Sequence, residues 1–341
     1  MKPDDSHALR QSSPARFSST GLVVEGTSPT HRLLGFLDAV CRGIGQVMLQ
    51  NNAYAGLLML LGIFYNSVLF GCAALLGTIA STATAVLLGV ERSQVRAGLF
   101  GFNGALVAIA LLYFLEPDAL AWGYVVLAAA CTTVIMAALL QLLSTWRIPA
   151  LTAPFVFTTL LFVLAAARFG RLHSTGALPT AGLPKAAAVE GIVTASTISE
   201  GLLTGVAQVF FQGSAVTGAV FLLALLLSSR VACMAAVFGS LLGLLVAWGM
   251  GAAEPAIRGG AFGFNSVLTA IALFGGPYVL NVASAAYGTL AVVATAVVFA
   301  AISAALEPLG MPALTSPFVL VVWLFLLAGA IFQRLRPGTG S

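Results

Sequence analysis

Charged side chains are scarce in this chain. Only 8% of its 341 residues are Asp, Glu, Lys or Arg, whereas 60% are hydrophobic and the mean hydropathy is +1.03. A soluble domain carries roughly a quarter charged residues, so this chain has too few polar groups to cover a water-exposed surface. The net charge of +4 is typical of the Lys/Arg excess that flanks membrane spans, not of a nucleic-acid-binding surface. The composition therefore predicts a protein embedded in the lipid bilayer, with no nucleic-acid partner.

Ionisable residues are missing from the interior of the apolar segments. No Asp, Glu, Lys, Arg or His occurs in 97–115, 120–143, 150–167, 231–250 or 278–305. Ion-coupled transporters usually keep a carboxylate or a histidine at such depth. The sequence also lacks a nucleotide-binding loop and a cluster of metal ligands, and its four cysteines show no paired spacing. These absences argue against an enzyme and against a cofactor or metal, and favour a pathway that passes a neutral solute down its gradient.

What the chain does contain is a repeat. "GLFGFNGALVAIAL" at Gly98–Leu111 and "GAFGFNSVLTAIAL" at Gly260–Leu273 share ten of fourteen positions at an offset of 162 residues. "GQVMLQNNAYAG" at 45–56 matches "AQVFFQGSAVTG" at 207–218 with the same offset. "PALTAPF" at 149–155 matches "PALTSPF" at 312–318 with an offset of 163. Three blocks in one register predict a gene duplication.

The apolar stretches divide equally between the two halves. The first half contains 53–70, 71–90, 97–115, 120–143 and 150–167, and the second 215–229, 231–250, 259–274, 278–305 and 313–332. Most approach the roughly 20 residues that a membrane-spanning helix needs. Because five spans is an odd number, the second half is expected to enter the membrane inverted, with a pathway on the pseudo-two-fold axis.

The predicted domains follow from this division. We expect a disordered N-terminal tail at 1–30, a first membrane repeat at 31–170, a linker at 171–197, a second membrane repeat at 198–335 and a C-terminal tail at 336–341. The fold class is all-α integral membrane, multi-pass, in a plasma membrane or a bacterial inner membrane.

Neutral polar residues recur inside the apolar halves. They are Gln46 and Gln208, Asn103 and Asn265, and Thr152 and Thr315, and phenylalanines recur beside them. The glycines of "FGFN" and the prolines of "PALT-PF" predict broken helices, which are tolerated at membrane depth only where protein or a water-lined cavity satisfies the backbone. Hydrogen-bond acceptors beside aromatic faces suit a small planar solute with several N–H donors. For the two asparagines we favour a structural role, as caps of a broken helix.

The three duplicated blocks together resemble the urea transporter family, over roughly residues 33–334. The resemblance implies a passive, channel-like urea pathway in each protomer of a homotrimer, with five spans and a tilted re-entrant helix per repeat. The length is similar to that of bacterial members.

The resemblance also implies roles for individual residues. Gln46 and Gln208 match polar positions at the pore mouths, and Thr152 and Thr315 match paired central threonines. The remaining matched positions are apolar: Leu49, Phe211, Phe102 and Phe264 at the aromatic slots, and Leu106 and Leu268 at the constriction walls. Leu49 departs from the aromatic residue usual at its position, which leaves a softer slot wall there.

Two other functions remain open from the sequence. The first is a channel for another small neutral nitrogen compound, such as a short amide, methylurea or ammonia. The second is a membrane scaffold or receptor whose duplicated core is only structural and which conducts nothing.

Overall fold

The protein is almost entirely helical in the computed structural model, which describes residues 16–24, 28–184 and 189–338. The described part of the first half forms seven α-helices: α1 Pro29–Gln46, α2 Ala53–Asn66, α3 Val68–Leu87, α4 Arg92–Arg96, α5 Phe102–Phe114, α6 Ala119–Leu143 and α7 Ala153–Ala166. The described part of the second half forms seven more: α8 Ala195–Ala207, α9 Ala215–Ser228, α10 Arg230–Gly249, α11 Glu254–Arg258, α12 Phe264–Phe274, α13 Val282–Leu306 and α14 Ser316–Gly329. The predicted all-α class is confirmed.

The helices of the second half repeat those of the first in order and length. The bounds of α2, α3 and α4 recur after 162 residues as those of α9, α10 and α11. The bounds of α6 and α7 recur after 163 residues as those of α13 and α14. The similarity recognised in three short blocks therefore extends over the helical core.

Equivalent parts of the two halves touch each other. Helix α2 packs against α9, and the hydroxyl oxygen of Thr152 lies 2.6 Å from that of its counterpart Thr315. A residue contacts its own counterpart where two copies meet across a two-fold axis. Counterpart elements of the two halves are therefore in direct contact, and the pair Thr152 and Thr315 lies at this contact.

Few of the helices are long enough to cross a membrane alone. Within the described residues, four are: α3, α10, and α6 and α13 with the short 3-10 turns that follow them. Helices α8 and α9 together pass the same test, but they are bent by 73° at their break. The other apolar helices are shorter: α2, α5, α7, α12 and α14. The chain is thus a multi-pass membrane protein, but the expectation of about 20 helical residues in most apolar stretches is wrong, because many stretches combine a turn with a short helix.

Glycines explain the turns that precede α5 and α12. Gly98 and Gly260 have φ angles of +74° and +73°, a left-handed conformation that residues with a side chain rarely adopt. A Cβ at either position would also collide with backbone atoms of α1 or α8. A turn therefore precedes each helix, and α5 and α12 begin only at Phe102 and Phe264. Helices thus start within the "FGFN" blocks, but the glycines that interrupt the chain lie two residues before these blocks and not inside them.

A short hairpin precedes α1. Strands β1 Arg16–Ser18 and β2 Gly21–Val23 pair antiparallel, so the prediction of disorder over 1–30 is wrong for 16–24, while 1–15 and 25–27 lie outside the described residues. Side chains of helices α1 and α4 hold the hairpin in place. The backbone N–H of Leu22 donates to the Asp38 carboxylate (2.7 Å), and Arg96 donates to the Val24 carbonyl (3.2 Å). No local sequence pattern indicates this docking, because the residues that hold the hairpin lie in the helices.

Of the corresponding segment of the second half, the described residues 178–184 form no hairpin. Residues 162 positions after Asp38 and Arg96 are Glu200 and Arg258, and these two form a direct ion pair with an N–O distance of 2.6 Å. In the first half the backbone of the hairpin lies between the acid and the arginine instead. The hairpin thus bridges α1 and α4, as a direct ion pair bridges α8 and α11.

Gly21→Ala is expected to undock the hairpin. Gly21 has a φ of +143°, and a Cβ there would collide with Asp38, Arg42 and Ala53. Loss of docking exposes the Leu22 N–H, whose hydrogen bond to a carboxylate contributes about 1.5–3 kcal/mol. Amide hydrogen exchange at Leu22 should become about tenfold faster or more. Gly35→Ala is the control, since nothing lies within 4 Å of a Cβ there. Unchanged exchange in Gly21→Ala would contradict the docking.

Candidate solute pathway

The first element of the site is a helix end repeated in both halves. Leu49 and Phe211 adopt left-handed backbone with φ angles of 60° and 59°. After α1, the N–H of Leu49 donates to the Gln46 carbonyl and that of Gln50 to the Gly45 carbonyl, which is the Schellman pattern. A left-handed conformation at a residue with a side chain costs of order 1–3 kcal/mol and is concentrated at functional sites. It turns the chain sharply just after the glutamine predicted for each pore mouth.

Buried glutamines hold these helix ends. The side-chain amide of Gln50 donates to the Met48 carbonyl (2.9 Å), and that of Gln212 donates to the Phe210 carbonyl (2.6 Å). Gln212 also accepts a hydrogen bond from Asn66 (2.8 Å). The recurrence of these two glutamines in the sequence is therefore explained by support of the turn.

The second element is the break before α7 and α14. Here Leu151 and Leu314 are left-handed, with φ angles of 53° and 51°. Asn103 accepts a hydrogen bond from the Phe155 N–H (3.0 Å) and donates to the Leu151 carbonyl (3.3 Å).

The second half repeats these contacts. Asn265 accepts from the Phe318 N–H (3.2 Å) and donates to the Leu314 carbonyl (3.1 Å). Each asparagine therefore caps the helix that starts at the break and fixes the carbonyl before it. The structural role favoured from the sequence is confirmed.

The threonine pair joins the two breaks. Thr152 and Thr315 precede α7 and α14 and are only 1% and 3% exposed. Neither hydroxyl caps its own helix, and the two oxygens are 2.6 Å apart, within hydrogen-bond distance. The hydroxyl of each threonine therefore bonds across to the other half of the chain and not to its own helical turn. The two halves thus share one buried hydroxyl pair at their centre.

A cavity of about 270 Å³ reaches one side of this pair. Four residues predicted for the site line it: Gln208, Phe211, Phe264 and Thr315. The other residues that line it include four aromatic residues and a serine: Tyr113, Phe114, Phe155, Phe299 and Ser303. None of the residues lining this cavity is Asp, Glu, Lys, Arg or His. The cavity is therefore an apolar, uncharged space with a few neutral polar groups.

Aromatic rings form much of the cavity wall. The ring centre of Phe211 lies 5.6 Å from that of Tyr113, 6.4 Å from that of Phe114 and 6.2 Å from that of Phe155. Phe264 meets Phe299 edge to face, with 5.7 Å between the ring centres. Edge-to-face contact is a favourable arrangement for aromatic pairs, so the rings that meet Phe211 and Phe264 in this way help to hold these two rings in place.

The other predicted site residues do not line this cavity. Gln46 donates from its side-chain amide to the Ala97 carbonyl (2.8 Å), and Leu49 is partly buried. Phe102 is 4% exposed, and Leu106 and Leu268 are fully buried in the core. Their predicted places at the opposite slot and at the constriction remain predictions.

Sequence reasoning missed several lining residues. Tyr113 and Phe114 correspond to Gly275 and Gly276 in the second half, and Phe299 corresponds to Met136 in the first. Because these positions do not match between the halves, comparison of the repeats could not single them out. Their only signal was their place in an apolar segment, which most residues share.

Charges lie away from the cavity. Arg258 pairs with Glu200 and Glu254, and Arg42 pairs with Asp38. A hydrogen bond from Thr197 and a second from Arg258 lower the pKa of the Glu254 carboxyl below its usual value. The described residues contain no group of three or more side chains that could hold a metal ion. The ion pairs therefore tie neighbouring segments together and take no part in the cavity.

These features define a class of protein. A duplicated helical membrane core, with broken helices that meet at a buried polar pair beside an uncharged cavity, is the architecture of a membrane transport pathway.

Comparison with known proteins makes the assignment specific. A family model described as urea transporter matches residues 37–330. Urea transporter 1 of Ovis aries is 33% identical over 301 residues, which cover 86% of this chain and 77% of that protein. Urea transporter 1 of Rattus norvegicus is 32% identical over 299 residues, with the same coverage. The chain belongs to the urea transporter family. The family contains channels and transporters, not enzymes, as predicted.

Proposed function

We propose that this protein carries urea across the membrane passively, through the cavity and past the threonine pair. The observation that carries the proposal is the cavity itself, because aromatic walls and neutral polar groups lead to the Thr315 hydroxyl without a charged residue on the way. Membership of the urea transporter family supports urea as the solute.

The chemistry of the cavity suits urea. Urea is flat, so the rings of Phe211 and Phe264 can contact its faces, while its N–H groups need acceptors at its edges. Gln208 and Ser303 line the cavity and make no side-chain hydrogen bond to any described residue, which leaves them free for a solute. The non-helical segment 312–315 completes this part of the wall. A hydrated cation would lose more solvation free energy than urea on entering the cavity, since neutral groups cannot replace its hydration shell.

The threonine pair is the proposed centre of the pathway. Solute that has left the cavity must displace the hydrogen bond between Thr152 and Thr315, and each hydroxyl can then donate to the urea oxygen or accept from an N–H. Exchange of one hydrogen bond for others keeps the barrier low. Gln46, Leu49, Phe102, Leu106 and Leu268 are proposed to line the remaining path.

The wider arrangement is also proposed. Inverted insertion of the second repeat follows from an odd number of membrane crossings per repeat, and the pseudo-two-fold contact of Thr152 with Thr315 supports it. Assembly as a homotrimer, the predicted bounds of the two membrane repeats and their linker, and location in a plasma membrane or bacterial inner membrane rest on the family resemblance and on the sequence.

Urea movement is expected to be independent of ion gradients. The cavity lining has no ionisable side chain that could couple proton or sodium binding to urea binding. Proteoliposomes should equilibrate radiolabelled urea faster than empty liposomes, at the same rate with and without an imposed pH or sodium gradient. Accumulation of urea above its external concentration on imposing either gradient would overturn the passive mechanism.

A further inference from the structure

The two ends of the proposed pathway are not equivalent in their side chains. The cavity end has Tyr113, Phe114 and Phe299, and the positions equivalent to these in the repeat are Gly275, Gly276 and Met136. Phe211 itself corresponds to Leu49. Of the rings grouped around the slot, only Phe155 and Phe264 have aromatic counterparts, in Phe318 and Phe102. Of these six aromatic positions, two are therefore aromatic in both repeats and four are aromatic in only one of them.

Two of the rings without an aromatic counterpart, Tyr113 and Phe114, support the ring of Phe211. Phe211 occupies a left-handed backbone position and touches three rings, of which Tyr113 and Phe114 come from the end of α5 in the other half of the chain. Phe114 is 2% exposed and meets Phe211 edge to face, at an angle of 88°. Phe211 therefore has little room to move. The residue equivalent to Phe211 in the first half is Leu49, which has no ring.

A rigid slot wall discriminates between solutes by their thickness. An aromatic slot held from behind admits a flat solute and excludes one thickened by a methyl group, because close-packed rings yield only at a cost. A leucine side chain, as at position 49, has no flat face that could form such a slot wall. Discrimination between urea and its substituted analogues therefore belongs to the cavity end.

We propose that Phe114 and Tyr113 are positioning residues that hold Phe211 as the selective wall of the pathway. The proposal rests on the proposed function. It assigns a specificity role to residues of the first half that lie at the mouth formed by the second half.

The test compares urea with N-methylurea in stopped-flow measurements on proteoliposomes containing the intact protein. Phe114→Leu and Tyr113→Leu should each lower the ratio of urea to N-methylurea permeability by about two- to tenfold, the range that aromatic pair energies correspond to. The ratio is insensitive to the amount of folded protein, so a variant that only folds less well leaves it unchanged. Tyr113 is 38% exposed, which makes that variant the safer one for folding.

A control variant locates the effect. Phe238→Leu removes a ring that meets Phe274 edge to face, with 5.7 Å between the ring centres, and neither ring lines the cavity. Phe238 is 38% exposed, as Tyr113 is, so the two variants are matched in burial. Phe238→Leu should keep the wild-type ratio within about twofold. A fall in the ratio of Phe238→Leu equal to that of Phe114→Leu, or an unchanged ratio in both Phe114→Leu and Tyr113→Leu, would overturn the proposal. Absence of urea flux through the wild-type protein would instead overturn the proposed function, and this inference with it.

Discussion

Replacing both Thr152 and Thr315 by valine is expected to slow urea flux by tenfold to over a hundredfold while the protein stays folded. Each valine keeps the shape of threonine and removes only the hydroxyl. Urea at this point has shed most of its water, and a buried hydrogen bond that is not made costs about 1–3 kcal/mol, which is roughly a 5- to 150-fold change in rate. Each single variant should slow the flux less than the double variant.

The hydroxyl pair itself contributes little to folding in this view, because valines at both positions leave no polar atom without a partner. The matched control is Thr269→Val. Its hydroxyl forms a similar buried contact with Thr295 at 2.9 Å, but neither residue lines the cavity. Stopped-flow light scattering, normalised to folded protein, gives the flux. Wild-type flux in the double variant would mean that the two hydroxyls serve only the structure.

Asn103→Ala and Asn265→Ala are expected to destabilise the protein strongly. Each removes one acceptor and one donor from a buried site, and so leaves a helix N–H and a left-handed leucine carbonyl without partners. At about 1–3 kcal/mol for each unsatisfied group, the expected loss is roughly 2–6 kcal/mol per variant. Either variant should lower the unfolding temperature in detergent or the yield of folded protein, as measured by circular dichroism and size-exclusion chromatography.

An exposed asparagine provides the comparison. Asn51 accepts a hydrogen bond from Arg42 at the protein surface, so Asn51→Ala should change stability by only a few tenths of a kcal/mol. Equal stability of Asn103→Ala and Asn51→Ala would show that the broken helix does not need its cap.

Much of the fold could be predicted from the sequence, because neutral polar residues that recur in both repeats stand out from the apolar residues around them. A glutamine, an asparagine and a threonine each recur in an otherwise apolar chain, and such residues are retained in a membrane where backbone needs partners. That reasoning found the helix breaks and the capping role of Asn103 and Asn265. It also put Thr152 beside Thr315, which the 2.6 Å contact confirms.

Other features depend on tertiary contacts that no local pattern encodes. Apolar composition cannot separate a full span from a turn followed by a short helix, so α5 and α12 were expected to be longer. The hairpin at 16–24 looks polar and unstructured in sequence, since the Asp38 and Arg96 side chains that hold it are distant along the chain. Tyr113 and Phe299 become part of a site only when two halves pack together.

The measurement that tests the central claim most directly is the permeability of proteoliposomes to urea, acetamide and glycerol, compared with empty liposomes in the same stopped-flow experiment. An aromatic slot with hydrogen-bond acceptors predicts rapid urea flux, slower acetamide flux, because acetamide has fewer N–H donors and a methyl group, and no added glycerol flux, because glycerol is not planar. Acetamide faster than urea would favour a channel for other small amides. Permeability equal to that of empty liposomes for all three solutes would contradict a transport pathway in this chain.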